Sequence, residues 1–197
     1  MRVIAGKFRG RRLVAPRGLH TRPTSDRVRE SLFAMLGDVG AARVADLYAG
    51  SGALGIEALS RGASHVTFVE PARPAVECIR RNLRSLGLEH ATSVLPLALE
   101  RAGKALSANA PYDLVFCDPP WAELAQAEKV LARVLRHDTF APGAILTIEH
   151  PAARRLEPLD TAHEVLDRRT WGGTGVTIFR IPGPEPTALL ESHRKKP

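Results

Sequence analysis

The sequence of 197 residues contains only two cysteines, Cys78 and Cys117, and aromatic residues make up only 5% of it. Two cysteines cannot build a disulfide framework or a zinc site with four cysteine ligands. The chain also has no apolar run of the roughly 20 residues that a membrane-spanning helix requires. These shortages exclude a disulfide-stapled domain and argue against a membrane protein.

The first residues, MRVIAGKFRGRRL, contain no apolar stretch as long as that of a secretory signal peptide. Together with the low cysteine content, this leads us to expect a cytoplasmic protein. The seven histidines show no metal-ligand spacing, so no metal site is expected. At 44% hydrophobic and 25% charged residues, the composition is that of a globular protein, and the length suits one substantial domain.

Acidic residues are scarce at the start of the chain. Residues 1–30 carry nine basic side chains against two acidic ones, whereas the remaining residues carry 19 of each sign. The net charge of +7 therefore belongs to the first 30 residues. This asymmetry predicts a polyanionic partner, with nucleic acid ahead of a membrane surface. Interspersed apolar residues favour a folded basic hairpin over a flexible solubilising arm.

Hydrophobic periodicity alternates between strand and helix along most of the chain. Short apolar runs at residues 65–70, 112–118 and 144–149 predict strands, and helices are predicted at residues 73–86 and 122–136. The alternation predicts an α/β fold with a mostly parallel, helix-covered sheet and a closing strand pair near its end. The predicted organisation is a basic hairpin at residues 1–22, one α/β domain at residues 23–182 and a disordered tail at residues 183–197.

A glycine-rich turn is the first chemical motif. Residues 50–55, GSGALG, match the G-x-G-x-x-G pattern between a predicted strand that ends near Asp46 and a predicted helix. Glycine permits positive φ and lets a ligand approach the backbone. Glu70 ends the next predicted strand, where its carboxylate can accept hydrogen bonds from both hydroxyls of a ribose. The set predicts an adenosine-type ligand and fits NAD, FAD and S-adenosylmethionine equally well.

The second motif, Asp118-Pro119-Pro120-Trp121, follows a strongly apolar predicted strand. Its prolines restrict φ and present the Asp118 carboxylate and the Pro119 carbonyl as a rigid pair of acceptors. Such a pair suits the exocyclic amine of a nucleobase, and Trp121 can stack on the base. Hydride transfer has no evident use for these acceptors, so the motif favours S-adenosylmethionine. Asp118, Pro119 and Trp121 are therefore the candidate catalytic residues, against the plainer alternative of a rigid turn.

Together these motifs resemble the RsmD family, class I S-adenosylmethionine-dependent methyltransferases that modify the N2 amine of a guanine in 16S ribosomal RNA. The similarity extends over residues 1–182. It rests on MRVIAGKFRGRRL at the start, RPTSDRVRESLF at 22–33, DLYAGSGALGIEALSRGA at 46–63, VEP at 69–71 and DPPW at 118–121. The resemblance implies a Rossmann-like α/β sheet of seven strands, mostly parallel, with helices on both faces and an antiparallel last strand.

The resemblance also implies roles for individual residues. Cofactor contacts would come from Asp46, Ala49, Gly50, Gly52 and Glu70, and from Thr24 on a segment that closes over the pocket. RNA would be held by Lys7, Arg9, Arg11, Arg12, Arg22 and Arg27. The chain departs from similar enzymes near Leu97, where an acidic residue usually contacts the adenine amine.

The implied substrate is 16S rRNA within the 30S subunit or an assembly intermediate, and we expect a monomer. In the implied reaction the base leaves its stack, Asp118 and Pro119 hold its amine, and the nitrogen attacks the sulfonium methyl in line. Two alternatives stay open. DPPW also occurs in adenine-N6 methyltransferases of DNA or RNA, and a non-catalytic nucleic-acid-binding module could keep a vestigial nucleotide pocket.

Overall fold

The computed structural model describes residues 1–16, 26–134 and 139–181, and these residues form helices and strands in regular alternation. The elements, in chain order, are α1 (Asp26–Leu36), β1 (Arg43–Leu47), α2 (Ala53–Ser60), β2 (His65–Val69), α3 (Arg73–Leu86), β3 (Thr92–Leu95), α4 (Leu99–Ser107), β4 (Tyr112–Cys117), α5 (Leu124–Val134), β5 (Phe140–Pro151), β6 (Glu164–Trp171) and β7 (Thr174–Arg180). Short 3-10 helices lie at Glu89–Ala91 and Trp121–Glu123.

The seven strands form one sheet in the order β3-β2-β1-β4-β5-β7-β6. β1 pairs in parallel with both β2 and β4, and parallel pairing continues to β3 on one side and β5 on the other. β7 runs antiparallel between β5 and β6. The predicted Rossmann-like sheet with an antiparallel last strand is therefore confirmed. Strand order reverses between β1 and β4, and ligands of open α/β sheets bind at such a point.

Alternating side chains of the central strands divide the core between the two faces of the sheet. Val44 and Phe116 pack in one cluster with apolar residues of α1, α2 and α3. Their neighbours Ala45 and Cys117 pack in a second cluster with residues of α4 and α5. Strands buried on both faces need continuous apolar runs, which is why β1 and β4 lack the polar alternation of a surface strand.

The predicted helix at residues 73–86 coincides with α3, because its boundaries are set by local chemistry. Pro74 lies in the first turn, where its missing N–H costs nothing, and Gly87 ends the helix at φ 68°. Val76, Ile79 and Leu83 form its buried stripe. Each such side chain contributes about 1.5–3 kcal/mol on burial.

Two elements differ from their predicted extent. The helix expected at residues 122–136 starts as the 3-10 turn at Trp121–Glu123, where the Pro120 carbonyl accepts the Glu123 N–H at 2.8 Å, and α5 begins at Leu124. The strand expected at residues 144–149 is the longer β5, because its ladder with β7 continues to the pair of Pro151 and Thr174. The first difference rests on a local hydrogen bond of the 3-10 type, whereas the second depends on a pairing partner that local periodicity does not reveal.

Residues 1–16, here called the N-terminal segment, turn back on themselves and pack against α2. An antiparallel bridge joins Arg2 to Arg12, and the buried side chains of Val3 and Leu13 belong to the cluster formed with α1, α2 and α3. The segment thus shares the core of the sheet. The predicted domain boundary at residue 22 and the tail at residues 183–197 lie outside the described residues and stay predictions.

Gly6 brings the N-terminal segment into close contact with the end of α2. It has φ +79°, and a Cβ atom built on it would lie 1.8 Å from the carbonyl oxygen of Ser60. Gly10 has almost the same φ, +81°, but a Cβ there would meet nothing within 4 Å. Substitutions at the two glycines can therefore be compared to separate the cost of a left-handed backbone from the cost of a steric clash.

We expect Gly6→Ala to lower the free energy of unfolding by at least about 2 kcal/mol more than Gly10→Ala, because only the methyl group added at Gly6 would push the segment off α2. Gly10→Ala should cost about 1–2 kcal/mol, the strain of a left-handed alanine. Urea unfolding followed by circular dichroism measures both values. Equal losses of unfolding free energy in the two variants would mean that the close approach at Gly6 adds nothing to the cost of its substitution.

Candidate active site

The carboxyl ends of β1, β2 and β4 bring the predicted site residues to one edge of the sheet. Leu47 lies opposite Val69 of β2 and opposite Cys117 of β4. The next residues along each strand are therefore level with one another, and they are Tyr48, Glu70 and Asp118. The Asp118 N–H donates to the Leu47 carbonyl at 3.4 Å, which holds the end of β4 against β1.

The three glycines of residues 50–55 serve three different purposes. Gly50 has φ +54°, and a Cβ built on it would meet nothing within 4 Å, so its backbone is open to a ligand. Gly52 has φ +77° and caps the N-terminus of α2. A Cβ on Gly55 would lie 2.4 Å from the Phe68 ring, so glycine there lets α2 pack directly on β2. An open backbone, a glycine at the helix start and a glycine where helix and strand meet are together typical of a dinucleotide-binding turn.

Asp46 is buried beneath this turn, with 1% of its surface exposed. Its Oδ2 accepts the Gly55 N–H at 2.9 Å, so the carboxylate satisfies one of the free N–H groups in the first turn of α2. Burial raises the pKa of Asp46 well above its usual range, the bond from Gly55 opposes this, and the charges of Asp118 and Glu70 add to it. Asp46 therefore shapes the turn from below.

Ala49 and Glu70 complete the cradle. The Ala49 N–H donates to the Val69 carbonyl at 3.1 Å, which ties the turn to the end of β2. Glu70, with 8% of its surface exposed, accepts the Gly50 N–H on Oε2 and the Ala72 N–H on Oε1, both at 2.8 Å. Two backbone donors thus fix this carboxylate, and each oxygen keeps a further lone pair for a hydroxyl.

The second motif follows at the end of β4. Asp118 is half-buried, Pro119 is buried and Pro120 is exposed in an extended conformation with ψ 132°. Trp121 then begins the 3-10 turn with 41% of its surface exposed. The exposed indole leaves a flat apolar surface available for stacking beside the half-buried carboxylate.

The basic residues of the N-terminal segment lie on its outer surface. Lys7, Arg9 and Arg12 are exposed, as is Arg27 on α1. Arg11 is also exposed, and its guanidinium donates to the Ser85 carbonyl of α3 at 3.2 Å. Arg22 and Thr24 lie outside the described residues.

Several buried polar side chains hold this segment in place, and among them Glu57 and Asn82 were not singled out from the sequence. The Glu57 carboxylate, on α2 and 1% exposed, accepts the N–H groups of Ile4 at 2.7 Å and Ala5 at 3.0 Å. Asn82, on α3 and 1% exposed, exchanges hydrogen bonds with the N–H and the carbonyl of Val14, at 2.8 and 3.0 Å. It also donates to the Ser51 carbonyl at 3.1 Å.

A sequence signal for both residues exists in retrospect. Glu57 is the one charged residue of the apolar helix ALGIEALS, and Asn82 lies three residues after Ile79 on the buried stripe of α3. A polar side chain on an otherwise apolar face needs a buried partner.

Tyr48 is a further residue that the sequence analysis did not single out, and its φ of +59° is rare for a tyrosine. Burial raises the pKa of its hydroxyl.

Within residues 1–16, 26–134 and 139–181, no group of three or more His, Cys, Asp or Glu side chains could hold a metal ion. Among the helices described, none has both the length and the apolar character needed to cross a membrane.

Comparison with known proteins agrees with this geometry. The profile of the family described as "Conserved hypothetical protein 95" matches residues 1–180. The ribosomal RNA small subunit methyltransferase D of Haemophilus influenzae is 33% identical over 187 residues, covering 92% of this chain and 92% of the relative. The protein of the same name from Escherichia coli K12 is 41% identical over 122 residues, covering 61% of this chain and 60% of the relative.

Solved structures share the fold. A hypothetical protein of Thermus thermophilus superposes with a TM-score of 0.76 at 28% identity, covering 92% of this chain and 99% of the other. An RNA methyltransferase from Salinibacter ruber in complex with S-adenosyl-L-homocysteine superposes with a TM-score of 0.61 over 85% of this chain and 98% of the other. At 18% identity this second likeness shows the fold alone. With its profile match over residues 1–180, the chain belongs to the family described as "Conserved hypothetical protein 95", the RsmD family of S-adenosylmethionine-dependent rRNA methyltransferases.

Proposed function

We propose that this chain methylates the exocyclic N2 amine of a guanine in the rRNA of the small ribosomal subunit. The observation that carries the proposal is the position of Asp118 and Pro119, beside an exposed Trp121 and level with Glu70 at the switch point of the sheet. The names of the relatives, which are small subunit rRNA methyltransferases, support the same substrate.

The residues of the first motif fit S-adenosylmethionine. The open side of Gly50 leaves room for the ligand against the backbone, and the lone pairs that Glu70 keeps suit the ribose hydroxyls. Asp46, Ala49 and Gly52 are proposed as further cofactor contacts, and the Asp46 carboxylate also supports the turn by accepting the Gly55 N–H. Thr24, on the segment before α1, is proposed as a further contact. When bound, S-adenosylmethionine supplies an electrophilic methyl group on its sulfonium sulfur.

The second motif acts on the base. An exocyclic amine is a poor nucleophile because its lone pair is delocalised into the ring. The Asp118 carboxylate and the Pro119 carbonyl would accept hydrogen bonds from the two N–H groups of the amine. These bonds would orient the amine and favour lone-pair density on its nitrogen. The Trp121 ring would stack on the base once it has left its helix. Because the Asp118 carboxylate would already accept one of these N–H bonds, it can take up the proton that the amine loses.

The rate enhancement assigned to these residues is mainly positional. Holding the amine and the methyl donor in line replaces a bimolecular encounter by an intramolecular one. No metal ion or covalent intermediate is part of the proposal. The RNA around the target would rest on Lys7, Arg9, Arg11, Arg12 and Arg27, with Arg22 on the adjoining segment. We further propose that the enzyme acts as a monomer in the cytoplasm, on the 30S subunit or an assembly intermediate.

Asp118→Ala should lower kcat by at least about 100-fold, because it removes one of the two acceptors that orient the amine. S-adenosylmethionine affinity, measured by calorimetry, should change by less than about threefold, since Glu70 and the glycine turn are untouched. Transfer of tritium from labelled S-adenosylmethionine to 30S subunits lacking the modification measures kcat. A variant that kept most of its turnover would contradict the role of Asp118.

The same assay identifies the product. Label in N2-methylguanosine after nuclease digestion supports the proposal, whereas label in N6-methyladenosine keeps the mechanism and replaces the base. Cofactor binding without label in subunits, free rRNA or DNA would favour a non-catalytic binding module.

Glu70→Gln should raise the KM for S-adenosylmethionine on the order of 10-fold or more, because hydrogen bonds to a charged acceptor are stronger than those to an amide. The amide oxygen can still accept the Gly50 N–H, and only the acceptor of the Ala72 N–H, outside the glycine turn, is lost. The turn should therefore persist, and kcat at saturating cofactor should stay near its original value. Steady-state kinetics separate the two quantities. A fall in kcat at an unchanged KM would exclude Glu70 as a cofactor contact.

Arg9→Ala combined with Arg12→Ala should weaken RNA binding and flatten its salt dependence. Each phosphate contact adds about 0.7–0.9 to the slope of log Kobs against log [salt], so loss of two contacts should reduce the slope by about 1.4–1.8. Filter binding of small subunit rRNA over a series of KCl concentrations provides the measurement. An unchanged slope would leave the N-terminal segment with a structural role only.

A further inference from the structure

The helix α3 carries a concentration of positive charge that the overall charge balance of the chain conceals. Its 14 residues include four arginines and one acid, although residues 31–197 together are neutral. All four arginines are exposed. Arg73 pairs with Glu77 at 2.9 Å, whereas Arg80, Arg81 and Arg84 form no ion pair with any residue that the structure describes.

These three arginines lie together on one surface of α3. Residues three and four apart are neighbours on a helix, so Arg84 adjoins both Arg80 and Arg81. Like charges at such spacings destabilise an isolated helix. Glu77 lies at such a spacing before Arg80 and Arg81, but its carboxylate pairs with Arg73, and no acidic residue of α3 follows it. A row of guanidinium groups that repel one another and form no described ion pair is typical of a surface that binds an anion.

The row is continuous with the N-terminal segment. The Arg11 guanidinium donates to the Ser85 carbonyl at 3.2 Å, so Arg11 lies beside the last turn of α3. Asn82, between Arg81 and Arg84 in sequence, holds Val14 through two hydrogen bonds. Arg11 thus joins the exposed face of α3 to the basic surface on which the proposed function already places RNA.

The row also stands away from the reacting base. α3 begins just after Glu70 at the ligand-binding edge and runs back across the sheet. Arg84 is eleven residues beyond Arg73, which corresponds to about 16 Å along the helix axis. A polyanion contacted there is therefore a part of the substrate that flanks the target nucleotide.

We infer that Arg80, Arg81 and Arg84, with Arg11, form a second RNA-binding surface that grips phosphates flanking the methylated base. The inference rests on the proposed function, because RNA is the polyanion that the active site already requires. Guanidinium groups suit this task, since their planar forks donate two hydrogen bonds to one phosphate.

The test compares two triple variants that remove the same charge. The α3 variant is Arg80→Gln, Arg81→Gln and Arg84→Gln. The control is Arg101→Gln, Lys104→Gln and Arg133→Gln, exposed residues of α4 and α5 on the opposite face of the sheet. Glutamine is a good helix former, so both variants should fold, and circular dichroism verifies this.

The α3 variant should bind small subunit rRNA about 10-fold more weakly at about 150 mM KCl, and its salt slope should fall by about 2. The control should bind within about twofold of the original protein, because it changes net charge equally but not the proposed surface. Equal effects of the two variants, or no effect of either, would overturn the inference.

A methylation assay on 30S subunits distinguishes failure of this inference from failure of the proposed function. If the protein without substitutions forms N2-methylguanosine while the α3 variant and the control have the same KM for subunits, only the second surface is refuted. If the unmodified protein methylates nothing, the proposed reaction fails, and the salt slopes still decide whether α3 contacts RNA.

Discussion

Parallel pairing of β1 with strands on both sides is the constraint on which the active site depends. Because Leu47 is level with both Val69 and Cys117, the chain must leave all three strands at the same height. Glu70 and Asp118, 48 residues apart in sequence, are thereby brought to one edge by the strands that precede them. The residues proposed to act on cofactor and base are thus brought together by backbone hydrogen bonds of the sheet.

Burial then turns this placement into a rigid site. The Asp46 carboxylate is committed to the Gly55 N–H, and the Glu70 carboxylate to the N–H groups of Gly50 and Ala72. Carboxylates suit this edge because they carry more acceptor sites than the backbone uses, which leaves lone pairs for the proposed ligand contacts. The site is therefore held in its binding geometry by the protein itself, which limits the ordering that ligand binding must impose.

Sequence patterns were sufficient for the parts of the structure that depend on local chemistry. The boundaries of α3 follow from Pro74 and Gly87, and the glycine turn and the end of β4 are marked by residue types with few other uses.

The features that could not be predicted depend on partners far along the chain. The Glu57 bonds to Ile4 and Ala5 span more than 50 residues, and the extra length of β5 depends on a strand that follows 23 residues later. Composition likewise indicated that the first residues are basic and partly apolar, but not that Gly6 lies against the Ser60 carbonyl. The sum of charges hid the arginines of α3, because an average over 167 residues cannot show where charges of one sign gather.

Asn82 gives this arrangement a thermodynamic consequence. One amide group holds the backbone of Val14 and the Ser51 carbonyl of the glycine turn, and it has no further donor hydrogen to spare. The segment that carries basic residues and the glycine turn therefore have one supporting side chain in common. Any coupling free energy that this amide transmits between ligands bound at the two places acts equally in both directions, since linkage between two sites is reciprocal.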